Sequence, residues 1–146
     1  MESKIIPISA DHAGYELKQE IIKYLKDINY TVKDYGTNSL DSCDYPDYIH
    51  PLAKAINNGE YAKGIIICGS ANGVSITANK YENVRSAICW LPQIAALARQ
   101  HNDANVLALP SRFVKISDAL IIVDTFLATA FEGGRHQIRV DKIKRK

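Results

Sequence analysis

The 146-residue sequence lacks several features that would assign it to a class at once. It has no uninterrupted apolar run long enough to cross a bilayer, so we expect no transmembrane segment. Its net charge is only +2, which gives little support to a nucleic-acid partner. It has three cysteines, an odd number without framework spacing, which argues against a disulfide scaffold and agrees with a reducing compartment. These absences predict a soluble, cytoplasmic protein with neither a membrane nor a nucleic acid as partner.

The chain does have a hydrophobic fraction of 47%, which at this length is enough for one compact domain with a real core. Apolar runs of strand length alternate with stretches of helical period. They predict strands over 4–9, 31–34, 64–68, 85–89 and 105–109. They also predict helices over 16–28, 47–57 and 117–130, and two further helices that begin near residues 72 and 92. This alternation predicts an α/β fold, a Rossmann-like three-layer αβα sandwich with a five-stranded parallel sheet. Residues 1–146 form a single domain in this prediction.

The segment 65–74 carries the strongest functional signal. A β-branched run ends on Cys68, as is typical of a buried parallel strand. A glycine-bracketed turn follows, which consists of Gly69, Ser70, Ala71, Asn72 and Gly73. If Ser70 or Asn72 caps the next helix, Cys68 lies beside the positive end of that helix, where a thiolate is favoured. The alternative is that Cys68 fills the core, and the residues alone leave the two interpretations evenly weighted.

Other polar residues follow the predicted strands. Parallel sheets bind ligands at the carboxyl ends of their strands, near a reversal of strand order. The first strand leads into Asp11 and His12, and the third ends on Cys68, so both segments reach the same edge. His101, which precedes the fifth strand, does not follow from this argument. Each residue also has an ordinary interpretation, since Asp11 fits an N-cap and a lone histidine is usually structural.

The C-terminal segment 131–146 has a different chemistry. Two glycines end the preceding helix, and Arg135 and Arg139 share one face if the segment is helical. Paired guanidinium groups suit a phosphate. The alternative is a solvated basic tail, which we prefer for Lys142, Lys144, Arg145 and Lys146.

Five motifs give the chain a family resemblance over essentially its whole length. They are Asp-His-Ala-Gly at 11–14, Asp-Tyr-Pro-Asp at 44–47, Cys-Gly-Ser at 68–70 with Asn-Gly at 72–73, His-Asn-Asp-Ala-Asn-Val at 101–106, and Phe-Glu-Gly-Gly-Arg-His at 131–136 with Arg139. In this order and at these spacings they resemble the ribose-5-phosphate isomerase B family. Val74 agrees with the cysteine-dependent branch. Ala71 and Pro110 stand where that family usually has glycine.

The resemblance implies interconversion of ribose 5-phosphate and ribulose 5-phosphate, without metal or cofactor, in the pentose phosphate pathway. It also implies a homodimer or dimer of dimers with shared active sites. A C-terminal arm over 131–146 contacts the partner subunit in this assembly. Cys68 resembles the base for the C2 proton, His101 the residue that opens the sugar ring, and Ser70 a proton relay. The implied substrate-binding residues are Asp11, Tyr45 and Asn102 for the sugar, Gly69, Ala71, Asn72 and Gly73 for the enediolate oxygen, and His12, Arg112, Arg135 and Arg139 for the phosphate.

Two other functions stay open from the sequence. One is a hexose-6-phosphate isomerase acting on allose or galactose 6-phosphate, since pocket length cannot be read from residues. The other is a phosphate- or nucleotide-binding module without turnover. A plausible base paired with a plausible ring-opening histidine argues against the second, because binding alone requires neither.

Overall fold

The computed structural model describes residues 4–144, which form an all-parallel five-stranded sheet covered by helices. The strands are β1 Ile5–Ala10, β2 Thr31–Asp34, β3 Gly64–Cys68, β4 Ser86–Ile88 and β5 Val106–Pro110. The helices are α1 Tyr15–Asp27, α2 Tyr45–Asn57, α3 Asn72–Ala78, α4 Pro92–Asn102, α5 Ile116–Ala128 and α6 Arg135–Asp141, and a 3₁₀ turn over His12–Gly14 precedes α1. The predicted Rossmann-like fold is confirmed. The bounds or starts predicted for the five strands and for α1 to α5 agree with the structure to within two residues.

The strand order places a reversal at the centre of the sheet. The order is β2-β1-β3-β5-β4, so the chain leaves β1 toward one edge and returns on its other side with β3. Ser9 pairs with Ile66 and Ala10 with Ile67, which puts the carboxyl ends of these two strands side by side. Crevices at such reversals are where open α/β sheets bind ligands.

The strand residues alternate between two cores, as the two-residue period of a strand requires. Ile65 and Ile67 point into the layer that contains α1, α4 and α5. Ile66 and Cys68 point into the layer beneath α2 and α3. Helices therefore cover both faces of the sheet, and this confirms the predicted three-layer arrangement.

A buried ion pair fastens the end of β1. The ammonium group of Lys18 on α1 has no exposed surface and lies 2.7 and 2.8 Å from the two carboxylate oxygens of Asp34. Asp34 Oδ1 also accepts the Gly36 N–H at 2.8 Å. The Gly36 carbonyl accepts the Ala10 N–H, and the Thr37 N–H donates to the Ala10 carbonyl, each at 2.7 Å. The ion pair between α1 and β2 therefore positions Gly36 and Thr37, and these two residues bind the backbone of Ala10 at the end of β1.

The C-terminal segment is helical over Arg135–Asp141, which meets the condition for Arg135 and Arg139 to share a face, and α6 packs against α4. Gly133 and Gly134, with φ of +69° and +55°, turn the chain between α5 and α6. Arg145 and Lys146 of the predicted basic tail lie outside the described residues. Between residues 4 and 144, no helix is long and apolar enough to span a bilayer.

Candidate active site

The turn after β3 places Cys68 next to the start of α3. Ala71 occupies the N-cap position in the left-handed region, with φ of +67°. The expected cap is therefore wrong in its position, because neither Ser70 nor Asn72 is the N-cap residue. The Ser70 hydroxyl nevertheless accepts the N–H of Asn72, the first helical residue, at 3.2 Å. The remaining N–H groups of the first turn have no carbonyl partner within the helix and are the natural donors to an anion.

Two glycines of this turn allow other side chains to approach its backbone. A Cβ on Gly69 would lie 3.0 Å from Nη1 of Arg112, and a Cβ on Gly73 would lie 2.5 Å from Cζ of Tyr45. The loop after β5 holds Arg112 there, since the Ser111 N–H donates to the Cys68 carbonyl and the Arg112 N–H to the Gly69 carbonyl. The guanidinium of Arg112 and the ring of Tyr45 thus lie against the turn that follows Cys68.

Asp11 and His12 lie at the end of β1, next to this turn. Asp11 Oδ1 accepts the N–H groups of Ala13 and Gly14 at 2.9 and 3.1 Å, so its ordinary role as an N-cap is real. Both bonds use one oxygen, which leaves Oδ2 for a ligand. His12 Nδ1 accepts the Cys43 N–H at 3.3 Å. A neutral His12 therefore carries its proton on Nε2, which makes Nε2 the nitrogen that donates to a bound anion.

The three cysteines occupy three different environments. Cys68 is 6% exposed and Cys89 fully buried, while Cys43 is partly exposed. Burial raises the pKa of the Cys89 thiol to about 12, and its Sγ lies 3.7 Å from the Ala87 carbonyl. Cys89 is therefore a core residue. Cys43 lies with its Sγ 3.9 Å from His12 Nδ1.

His101 lies at the opposite edge of the sheet from Cys68. Helix α4 returns from the carboxyl end of β4 to the amino end of β5, so its last residues, His101 and Asn102, reach the amino edge. A five-residue strand such as β3 spans roughly 16 Å, and this length separates the two edges. Arg135 and Arg139 are on α6, which packs against α4. One chain therefore brings Asp11, His12, Tyr45, Cys68 and Arg112 together and keeps His101, Asn102, Arg135 and Arg139 apart from them.

A histidine pair organises the amino-edge group. The rings of His101 and His136 stack with centroids 4.3 Å apart and planes 10° from parallel. Glu132 Oε1 lies 3.7 Å from His101 Nε2 and 3.5 Å from His136 Nε2. Burial, His101 and Arg135 lower the pKa of His136 from its ordinary value of 6.5. The neutral form of the His136 ring is therefore favoured over its charged form.

His101, Glu132 and His136 could also be considered as metal ligands. Within the described part of the chain, they are the group whose ligand atoms lie close enough together, all within 4.8 Å of one another. A ligating imidazole holds its metal near the plane of its own ring. Because the two rings are almost parallel and stacked, their nitrogen lone pairs do not converge on one point. The observed ring orientations do not fit a preformed metal centre.

A cavity of about 630 Å³ opens beside Asn102 and is lined also by Tyr81, Arg85 and Ile143. Cys68 does not line it. The amino edge of the sheet therefore has a cavity next to Asn102, which belongs to the group of residues that lies apart from Cys68.

Sequence reasoning missed several residues that shape these two groups. Cys43 contacts His12 through its backbone N–H. Ser111 acts through its backbone N–H and through its hydroxyl, which donates to the Ala13 carbonyl at 2.9 Å. A sequence carries no local signal for such contacts. Glu132 and His136 were visible as a pair four residues apart, the spacing of neighbours on a helix. Their contact with His101 depends on how α6 packs against α4 and is not a local property.

The fold and the carboxyl-edge group define a class: an α/β protein with a small-molecule site at the strand reversal of a parallel sheet. Comparison with known proteins narrows this class. The model of the ribose/galactose isomerase family matches residues 6–143, and the chain belongs to that family.

Relatives match over almost their entire length. Ribose-5-phosphate isomerase B of Escherichia coli is 46% identical over 140 residues, which are 96% of this chain and 94% of that protein. The structure of a ribose 5-phosphate isomerase from Thermotoga maritima has a TM-score of 0.94 at 46% identity, covering 96% of this chain and 97% of the other. Ribose-5-phosphate isomerase B from Mycoplasma genitalium, solved with bound ribulose-5-phosphate, has a TM-score of 0.93 at 46% identity, covering 98% and 95%.

Proposed function

We propose that this chain is an aldose-ketose isomerase that interconverts D-ribose 5-phosphate and D-ribulose 5-phosphate. The observation that supports this most directly is the position of Cys68, at the end of β3, between the Asp11–His12 segment and Arg112. A base flanked by hydroxyl-binding and phosphate-binding groups is what a phosphorylated sugar with an acidic carbon requires. The relatives named for this activity match the chain at nearly full length.

The proposed chemistry has three stages. Ring opening breaks the C1–O4 bond, with one proton leaving O1 and one added to O4. The Cys68 thiolate then removes the proton from C2, which gives a cis-enediolate. A proton is returned to C1 while the O2 proton moves to O1, and Ser70 is placed at the turn to relay it. Each preorganised N–H donor aimed at the enediolate oxygen contributes about 3 to 4 kcal/mol, and the turn from Gly69 to Gly73 supplies such donors.

The phosphate is held in this proposal from two sides. The Nε2–H of His12 and the guanidinium of Arg112 lie at the carboxyl edge with Cys68. Arg135 and Arg139 come from the amino edge of a second chain, together with His101 for ring opening and Asn102 for the sugar. Asp11 Oδ2 and Tyr45 bind sugar hydroxyls. The three arginines suit a phosphate dianion because the guanidinium fork matches its oxygens.

A homodimer or dimer of dimers is proposed because one chain separates the two groups by the length of a strand. Both groups carry exposed apolar side chains that a partner can cover. Trp90 and Phe113, which follow β4 and β5 at the carboxyl edge, are 51% and 75% exposed. Ile138 on α6 is 61% exposed. The C-terminal arm over 131–146 is the segment we expect to contact the partner.

Location and cofactor use belong to the same proposal. All three cysteines are free thiols, which fits a reducing compartment such as the cytoplasm. The mechanism uses side chains and backbone N–H groups and has no step that requires a metal. Ribulose 5-phosphate and its aldose are pentose phosphate intermediates, so we assign the reaction to that pathway.

The test compares kcat/KM for ribose 5-phosphate, allose 6-phosphate and galactose 6-phosphate in the presence of a chelator. We expect ribose 5-phosphate to be at least ~10-fold better than either hexose phosphate, because a pocket fitted to five carbons rejects a longer chain. A preference for a hexose phosphate would replace the proposed substrate. Absence of turnover on all three sugars would support a binding module, and loss of activity that metal restores would contradict metal independence.

A further inference from the structure

We propose that Glu132 and His136 are positioning residues that hold the His101 ring for sugar ring opening. This inference rests on the proposed function, since it assumes that His101 acts on the closed sugar. It adds two residues to which no role has yet been given.

The first argument is the stacking geometry. His101 is 40% exposed in its side chain, so nothing buries it deeply enough to fix its ring. The ring of His136 is only 10% exposed and lies almost parallel to it, with centroids 4.3 Å apart. A buried ring that covers one face of an exposed ring restricts the exposed ring to one plane.

The second argument is the placement of the carboxylate. Glu132 Oε1 lies 3.7 Å from His101 Nε2 and 3.5 Å from His136 Nε2, so both rings present the same nitrogen to it. These separations are too long for good hydrogen bonds and are those of an electrostatic contact. The carboxylate therefore favours the orientation of the His101 ring that points Nε2 toward Glu132 over the flipped orientation of the same ring. Because burial lowers the pKa of His136 and so favours its neutral form, the negative charge of Glu132 is left to act on the His101 ring.

The third argument is that the backbone is built to hold this arrangement. The Glu132 N–H donates to the Gln100 carbonyl at 3.1 Å, one residue before His101. Arg99 Nε donates to the Thr129 carbonyl at 3.0 Å. These two bonds fasten the segment before α6 to the last turn of α4. Gly133 and Gly134, both with positive φ, then turn the chain so that His136 reaches the face of His101.

The chemistry of the two substrates provides a specific test. Ribose 5-phosphate exists mainly as a furanose and must be opened. Ribulose 5-phosphate cannot form a furanose, because its C5 hydroxyl carries the phosphate, and it enters as an open chain. A defect in ring opening therefore slows the aldose direction and spares initial rates in the ketose direction, where the open aldehyde can close after release.

The experiment measures kcat and KM in both directions for the full chain and its variants. His101→Asn is the reference, and we expect it to lose at least ~100-fold with ribose 5-phosphate and to stay within ~3-fold with ribulose 5-phosphate. Glu132→Gln and His136→Ala should show the same asymmetry, with a loss of ~10-fold in the aldose direction only. His136→Phe keeps a flat ring against His101 and should recover most of that loss. Arg139→Ala, by contrast, should raise KM in both directions, because both substrates carry the phosphate.

The outcomes separate the inference from the function on which it rests. If His101→Asn slows both directions equally, the ring-opening role of His101 is wrong, and the inference fails with it. If His101→Asn is asymmetric but Glu132→Gln and His136→Ala are unchanged or slow both directions alike, His101 keeps its role and the inference alone is overturned. Failure of His136→Phe to recover activity where His136→Ala loses it would also contradict the stacking argument. Glu132→Gln preserves size and shape, so it decides the question even if His136→Ala does not fold.

Discussion

The three cysteines show how surroundings decide the chemistry of one residue type. Cys89 is enclosed by apolar side chains, and its raised pKa keeps it a thiol. Cys43 is partly exposed and lies beside His12 at the edge of the site. Cys68 is buried, but it ends a strand at the turn that begins α3, where backbone N–H groups lack a carbonyl partner within the helix. Of the three, only Cys68 has both shelter from water and a position next to the N–H groups of a helix start.

We expect Cys68→Ala to lose at least ~10³-fold in kcat with either substrate, because the variant has no group to remove the C2 proton. Phosphate binding and thermal stability should change little, since alanine fits the same buried position with a small loss of volume. Cys43→Ser is the matched control, and it should keep kcat within ~3-fold. Steady-state kinetics of the two variants, together with inorganic phosphate titration, check this prediction. Near-full activity of Cys68→Ala would remove Cys68 as the base.

Ala71 carries a backbone conformation that its residue type disfavours. Its φ of +67° is in the left-handed region, where a side chain costs roughly 1–2 kcal/mol and glycine costs almost nothing sterically. Glycine at position 71 removes this strain, but it also removes a fully buried methyl group and adds backbone entropy to the unfolded chain. We therefore expect Ala71→Gly to change the free energy of unfolding by less than about 1 kcal/mol. Ala78→Gly in the last turn of α3 is the control, because Ala78 is equally buried but unstrained, and it should destabilise by at least ~1 kcal/mol more than Ala71→Gly. Equal losses of Tm in the two variants would contradict the assigned strain.

At the scale of elements, the most instructive feature is the link from α1 to the end of β1 through Lys18 and Asp34. The two partners are buried unequally, since the Lys18 side chain has no exposed surface and that of Asp34 is 34% exposed. Removing a partner therefore has different consequences on the two sides. A remaining carboxylate can still reach water, whereas a remaining ammonium cannot.

We expect Asp34→Ala to destabilise the protein by about 3–5 kcal/mol, because it leaves a buried charge without a partner. The same change also removes the acceptor of the Gly36 N–H. Lys18→Met should cost clearly less, because methionine fills the buried space and Asp34 remains partly hydrated. Urea denaturation of both variants measures the difference in the free energy of unfolding. Equal losses, or a larger loss for Lys18→Met, would show that the unequal burial does not control the energy of this pair.

The elements that the sequence predicted well are those with a local signal. The β-branched run before Cys68 is uniformly apolar and bounded by polar residues, so the bounds of β3 were predicted as observed. The start of α2 was placed two residues late, because Pro46 at its first turn resembles a loop residue although proline fits that position. The φ of Ala71 had no local signal, because alanine does not favour it. The stacking of His101 on His136 required the packing of α4 and α6, which local periodicity does not contain.

At the scale of the whole molecule, the chain carries its two groups of proposed site residues on opposite edges of one sheet. The parallel topology makes this unavoidable, because every helix that follows a strand ends at the amino edge. Residues at strand ends, such as Cys68, and residues at helix ends, such as His101, therefore cannot meet within one domain of this fold. In the proposed homodimer, a two-fold axis that brings the amino edge of one chain against the carboxyl edge of its partner forms the same contact twice and completes two sites.

This arrangement predicts complementation between two defective chains. Cys68→Ala and His101→Asn should each have little activity on ribose 5-phosphate when alone. In a mixed dimer, one site combines the intact Cys68 of one chain with the intact His101 of the other, and the second site has neither. Unfolding and refolding an equal mixture makes about half of the dimers mixed, so about a quarter of the wild-type activity should return.

The control for this experiment is an equal mixture of Cys68→Ala and Cys68→Ser, which shares a defect and should recover nothing. Mixing the Cys68→Ala and His101→Asn proteins without unfolding should recover activity only as fast as subunits exchange. The time course of activity after mixing therefore reports exchange, and its plateau reports the number of restored sites. If the refolded mixture stays as inactive as its components while size measurements show mixed oligomers, Cys68 and His101 do not act across the subunit interface. A shared site at the contact between opposite sheet edges would then be wrong, and His101 would have no route to the sugar bound at Cys68.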